Sequence, residues 1–241
     1  MLNNFDPKII AKNEHHSLID DYFSYLQSGL IHYAKEDIGK EVKKHKLELL
    51  EKALRKDFPL SKSLVARLQK HFLKENLSLY LLLDPIYAWK YLASGKIPTS
   101  EAQISEFSNL FISPFARLIM ALYDENPGTY LPLSSLFSAL FLLDVFQNNL
   151  PFSVKLKLSK RQKISKLKGL AKNSAVILSV VKSKRLKFML ALALNQTKVM
   201  IKRYENNKQP QIPLIDNIAV FLYSCWQFVS VKHKTIEKAK L

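Results

Sequence analysis

Apolar residues recur at three- and four-residue intervals along nearly the whole chain, and that spacing limits its fold more than any other feature. Leu18, Tyr22, Tyr25, Leu26 and Ile31 suit one face of a first helix, and Leu47, Leu49, Leu50 and Leu54 suit a second. Pro59 opens a third segment that runs through Leu64, Leu68 and Phe72. Proline fits a first turn because its missing N–H would be unpaired there anyway. Asp84-Pro85 reads as a further start, with Asp84 as N-cap before Ile86, Trp89 and Leu92. Gly95 to Pro98 reads as a turn, and Ser113-Pro114 as a break leading into Phe115, Leu118, Ile119 and Leu122. Pro127-Gly128 closes that helix, and Leu131 to Phe146 forms a long apolar one. Helical spacing then covers about 161–181, 183–205 and 213–231, with a loop from Asn206 to Pro213. Strand-like alternation is confined to Val154 to Leu158. The expected class is an all-α bundle, a single domain over residues 1–241.

Composition narrows the function classes. Five glycines in 241 residues leave no room for glycine-rich phosphate loops or turn-dense barrels. The single cysteine, Cys225, excludes an internal disulfide and a multi-cysteine metal cluster, and it suits a reducing compartment. Its neighbours are apolar, which points to a packed thiol rather than a nucleophile. His15, His16, His32 and His45 lack zinc spacing, so surface and helix-end roles are the default. Met1 to Asp6 carries no signal-peptide pattern, and the apolar run from Ile218 to Val231 is short of a bilayer span.

The charge is divided in two. Residues 1–150 carry 17 basic and 17 acidic side chains, whereas residues 151–241 carry 20 basic ones against Glu205, Asp216 and Glu237. No acid stands between Asp144 and Glu205. A field of that sign attracts phosphate, on anionic lipid, on nucleic acid or on a diphosphate. Lysine outnumbers arginine 31 to 6, which argues against sequence-specific reading of base edges.

Three stretches in order resemble the squalene/phytoene synthase family. Tyr33-Ala34-Lys35-Glu36-Asp37-Ile38-Gly39-Lys40-Glu41 is similar to that family's first metal motif, D-D-I-x-D-E. Phe111-Ile112-Ser113-Pro114-Phe115-Ala116-Arg117-Leu118 resembles S-A-x-P-V-G-R-L. Ala139 to Asn148 resembles A-L-Q-L-x-N-x-x-Q-D, the second metal motif. The resemblance implies a helical bundle of the isoprenoid-synthase type with a central cavity for prenyl chains. It also implies Mg²⁺ between two acidic helices, holding the diphosphate of the substrate. Hard Mg²⁺ favours carboxylate and phosphate oxygens, and carboxylates four apart share one helix face.

On this alignment Glu36, Asp37 and Glu41 are the relic of the first metal site, and Asp144 and Asn148 of the second. Tyr33, Phe111, Pro114, Phe115, Phe141 and Gln147 become cavity candidates. Arg117, Lys155, Lys157, Lys160 and Arg161 become candidates for contact with a diphosphate or a phospholipid. The departures weigh more than the match. Lys40 stands where an aspartate belongs, Asp144 and Asn148 exchange acid and amide, and the acidic stretch after the second motif is replaced by lysines. Glu36, Asp37 and Glu41 also read as the acidic half of helix-surface pairs with Lys40, Lys44 or His45.

The expectation is a catalytically impaired member of that family, with no confident catalytic residue. Its role is binding a prenyl lipid, or assembly and scaffolding with a protein partner at an anionic membrane surface. Its place is the cytoplasm, peripheral on the inner membrane face. The alternatives are an active prenyl-diphosphate transferase using Mg²⁺, and a basic helical protein that binds nucleic acid without sequence preference, which ranks last.

Overall fold

The computed structural model describes residues 6–34, 38–55, 63–96, 98–126, 129–147, 157–208, 212 and 217–225, and every described element is helical. After 3₁₀ turns at Pro7–Ile10 and Asn13–His15 come α1 (His16–Ala34), α2 (Lys40–Arg55), α3 (Leu64–Lys74), α4 (Tyr80–Ala93) and α5 (Glu101–Leu122). There follow α6 (Tyr130–Phe146), α7 (Lys160–Ser174), the short α8 (Ile177–Val180), α9 (Lys184–Glu205) and α10 (217–225). The all-α expectation holds. Residues 154–156 of the alternating segment lie outside the described residues, and Lys157 and Leu158 are not in a strand.

The centre of the bundle is α6, packed on α5, α7 and α9. Every residue from Leu136 to Phe146 on it is buried, as suits a helix that is apolar all round. On the other side α4 packs on α5, α2 and α1, and α1 also covers α3. Aromatic rings fill the seam. Phe111 and Phe141 lie 5.4 Å apart between ring centres, Phe115 and Phe137 4.7 Å, and Tyr22 and Phe115 6.0 Å.

Two expected helix starts lie inside helices. Asp84-Pro85 falls within α4, which begins at Tyr80, so Asp84 is not an N-cap. Pro114 sits in the middle of α5, which runs unbroken to Leu122. Proline deletes one N–H and crowds the carbonyl four residues earlier, and each site meets that differently. In α4 two tyrosine hydroxyls donate to the carbonyls of the affected turn. In α5 the affected carbonyl belongs to Leu110, which is at the surface, where water is available. Pro59 and the Pro127-Gly128 pair lie outside the described residues, and Ser63 provides the N-cap of α3 through a bond from the Ala66 N–H. Ser100 and Ser159 open α5 and α7 with capping boxes to Gln103 and Gln162.

Leu49 and Ile31, placed on apolar faces by their spacing, are exposed. The 161–181 segment breaks into α7 and α8, and α10 is described only to Cys225.

Candidate functional site

The first motif spans the end of α1 and the start of α2. Glu36 and Asp37 lie outside the described residues, as do Asn148 of the second motif and Lys155. Glu41 points to solvent and pairs with Lys44 at 2.9 Å, the plain i, i+3 arrangement. Lys40, the charge-reversed position, lies against the end of α4: a Cβ on Gly95 would come within 2.7 Å of its Cε. A cation there complements the negative end of the helix dipole. Tyr33 is buried against Trp89, 5.9 Å between ring centres, and its carbonyl accepts from the Lys43 ammonium at 3.3 Å. Burial raises its hydroxyl pKa.

The second motif lies on the central helix. Asp144 is 1% exposed among Leu142, Leu143, Val145 and Phe146. Gln147 caps the C-terminus of α6, its N–H donating to Leu143 at 3.1 Å. Phe111, Pro114, Phe115 and Phe141 are buried in the aromatic seam. Their helices bring them together, yet they line none of the three surface cavities described below. Among the described residues no group of three acid, histidine or cysteine side chains is placed to hold a metal ion.

Arg117 is engaged. Its Nη2 donates to Asp84 of α4, and its guanidinium lies 5.7 Å from the ring centre of Tyr130. Sequence reasoning missed Asp84 as a partner because Asp-Pro is so strong a helix-start signal.

Charge and exposed apolar surface meet at the C-terminal end. Lys168 and Lys172 of α7 face Lys198 and Lys202 of α9 across a cavity of about 510 Å³, floored by Ala171, Ala175 and Ile201. A second cavity of about 510 Å³ lies between α9 and α10 and shares Lys198 and Lys202. Lys168 pairs with Glu205 at 2.8 Å, and Lys160 donates to the Glu205 carbonyl at 2.9 Å and to Asn207. Lys172, Lys198 and Lys202 have no ion-pair partner among the described residues. Lys157 and Arg161 are exposed nearby on the chain, the Lys157 N–H reaching the Thr99 carbonyl at 3.4 Å.

A buried bond from the Asn195 amide to the Ser224 hydroxyl, 2.9 Å, holds α10 on α9. It leaves Ile218, Phe221 and Leu222 on the outside, 52%, 47% and 61% exposed at i, i+3, i+4 spacing. Sequence reading did not single out Lys198 and Lys202; their i, i+4 spacing is the signal that could have found them. No helix of the described residues is long and apolar enough to cross a membrane.

None of the known family models, curated proteins or solved structures compared with this chain matches it.

Proposed function

We propose that this chain is a catalytically impaired relative of the squalene/phytoene synthases, an isoprenoid-synthase-type bundle with a cavity for a prenyl lipid, that works at an anionic membrane surface. The observation that carries the membrane reading is the exposed Ile218, Phe221 and Leu222 face of α10 beside Lys198 and Lys202, which have no ion-pair partner among the described residues. Apolar side chains that enter the acyl boundary gain about 25 cal/mol per Å² buried, and each lysine near an anionic leaflet adds about 1 kcal/mol. Neither alone anchors a protein firmly; together they make an interfacial site.

Loss of catalysis rests on Lys40 in the first motif and on Glu41 turned out to Lys44. A cation at a Mg²⁺ site repels the ion it should attract. With Mg²⁺ and farnesyl or geranylgeranyl diphosphate, the expected result is no diphosphate release. Release that disappears in Asp144→Ala would overturn this part of the reading.

Flotation with vesicles tests the membrane part. Phosphatidylglycerol-containing vesicles should carry the protein, pure phosphatidylcholine vesicles should not, and Phe221→Ser with Leu222→Ser should abolish the difference. Equal binding to both vesicles would overturn it, as would salt-sensitive retention on polynucleotide without vesicle binding.

A further inference from the structure

A third cavity, of about 390 Å³, opens between α5, α6 and α7. Serines line it from both α5 and α6, joined by Asn109, Asn173 and Lys166. Most of these serines are satisfied locally. Ser105 and Ser135 turn back onto the carbonyls of Glu101 and Leu131, at 2.7 and 3.1 Å, the usual bond of a helical serine. Ser134 shares a 2.8 Å bond with Ser113.

Ser108 and Ser138 do neither. They are 2% and 3% exposed, they line the cavity from different helices, and among the described residues each Oγ is without a hydrogen-bond partner. A buried hydroxyl left unbonded is destabilising, and alanine at either position would avoid the cost and favour the helix. Helix packing alone therefore does not account for them. Among the described residues no carboxylate lines the cavity, and the one cation that does, Lys166, is held by Glu101 only at 3.6 Å. The available chemistry is two hydroxyl donors, two amides and an ammonium, a set that suits negatively charged acceptor oxygens. A serine hydroxyl has three staggered wells, so a change of χ1 can redirect its O–H.

We infer that this α5–α6–α7 cavity binds a small oxyanion-bearing molecule, a carboxylate or a phosphate ester, whose oxygens accept from Ser108, Ser138 and Lys166. The volume is near the lower end for small-molecule sites, which fits a metabolite-sized acid and not a lipid chain. The site is independent of the membrane face. It is also apart from Asp144, since six residues along a helix turn Ser138 roughly 120° away from it.

The test is amide NMR on the ¹⁵N-labelled full chain, titrated with acetate and separately with inorganic phosphate against chloride of matched ionic strength. Saturable shifts at Ser108, Ser138 and Lys166 are expected. Saturation by acetate identifies a carboxylate ligand, and saturation by phosphate identifies a phosphate ester. The Ser108→Ala/Ser138→Ala variant should fold with an unchanged or raised Tm and bind at least about a hundredfold more weakly, the worth of two charged hydrogen bonds. Absence of saturation by both anions would overturn the site. So would shifts confined to the Lys198 and Lys202 face, or undiminished binding by the double alanine variant.

Discussion

The phenol of Tyr22 donates a 2.7 Å hydrogen bond to the carbonyl of Leu81. In an unbroken helix that oxygen would accept from the N–H of residue 85, and Pro85 has none. Three residues along α1, Tyr25 donates to the next carbonyl, Leu82, also at 2.7 Å. Two buried phenols from α1 thus satisfy the turn that the proline ring disrupts, and α4 continues through it to Ala93.

Tyr22→Phe should therefore cost about 1–3 kcal/mol, the penalty of a buried carbonyl left without a donor. Pro85→Ala restores the backbone N–H, so in that background the same change should cost about 1 kcal/mol less. Urea unfolding of the wild type, both single variants and the double variant measures this coupling. Strict additivity would show that the phenol does not stand in for the missing donor.

Burial pushes the Tyr22 and Tyr25 hydroxyls well above the ordinary tyrosine range; for Tyr22 the Asp84 carboxylate adds to the rise and Arg117 opposes it. A raised folded pKa means that the unfolded chain loses these protons first. The stabilisation is thus complete below pH about 10 and declines as pH rises beyond it. Unfolding midpoints measured from pH about 8 to 11 should fall more steeply for the wild type than for Tyr22→Phe/Tyr25→Phe. Parallel curves would contradict it.

These bonds mark where sequence reading stops. The apolar run Leu136 to Phe146, broken only by Ser138 and Asp144, marked a long helix, and its central place follows because so apolar a helix has little polar surface to turn to water. Asp84-Pro85 misled, because the donors that rescue the proline come from residues 59 and 57 positions away. The site divided in the same way. Lys198 and Lys202 were counted only within the basic total, and the face they share with Lys168 and Lys172 depends on which helices meet α9. Ser108 and Ser138 carried no signal, because a helical serine ordinarily bonds its own backbone.

Gly29 of α1 lies directly against the Trp89 indole. A Cβ there would fall 2.1 Å from Cε2 of the indole, which is itself buried and fixed edge-on by Tyr25 at 4.7 Å. Gly29→Ala should destabilise by about 1–3 kcal/mol, overpacking outweighing the helix-propensity gain. At Gly169 on α7 an added Cβ would meet nothing within 4 Å, so Gly169→Ala should raise stability by up to about 1 kcal/mol. Thermal unfolding of the two variants should move in opposite directions, and a neutral Gly29→Ala would mean that α1 and α4 separate easily.

Arg117 tests the division of labour between the front and back of the chain. Its guanidinium is held by Asp84 and stacked towards Tyr130, in a half-buried position. Asp84→Asn should cost about 1 kcal/mol by weakening that pair, and adding Arg117→Gln should cost less than the sum of the two changes. Because the cation is already engaged, Arg117→Gln should leave binding to anionic vesicles unchanged. Lys198→Gln and Lys202→Gln should each weaken it by about fivefold, close to 1 kcal/mol per lysine. Flotation beside thermal unfolding separates these effects. Loss of vesicle binding in a folded Arg117→Gln variant would move the anion contact from the α7–α9 face to the Asp84 pair.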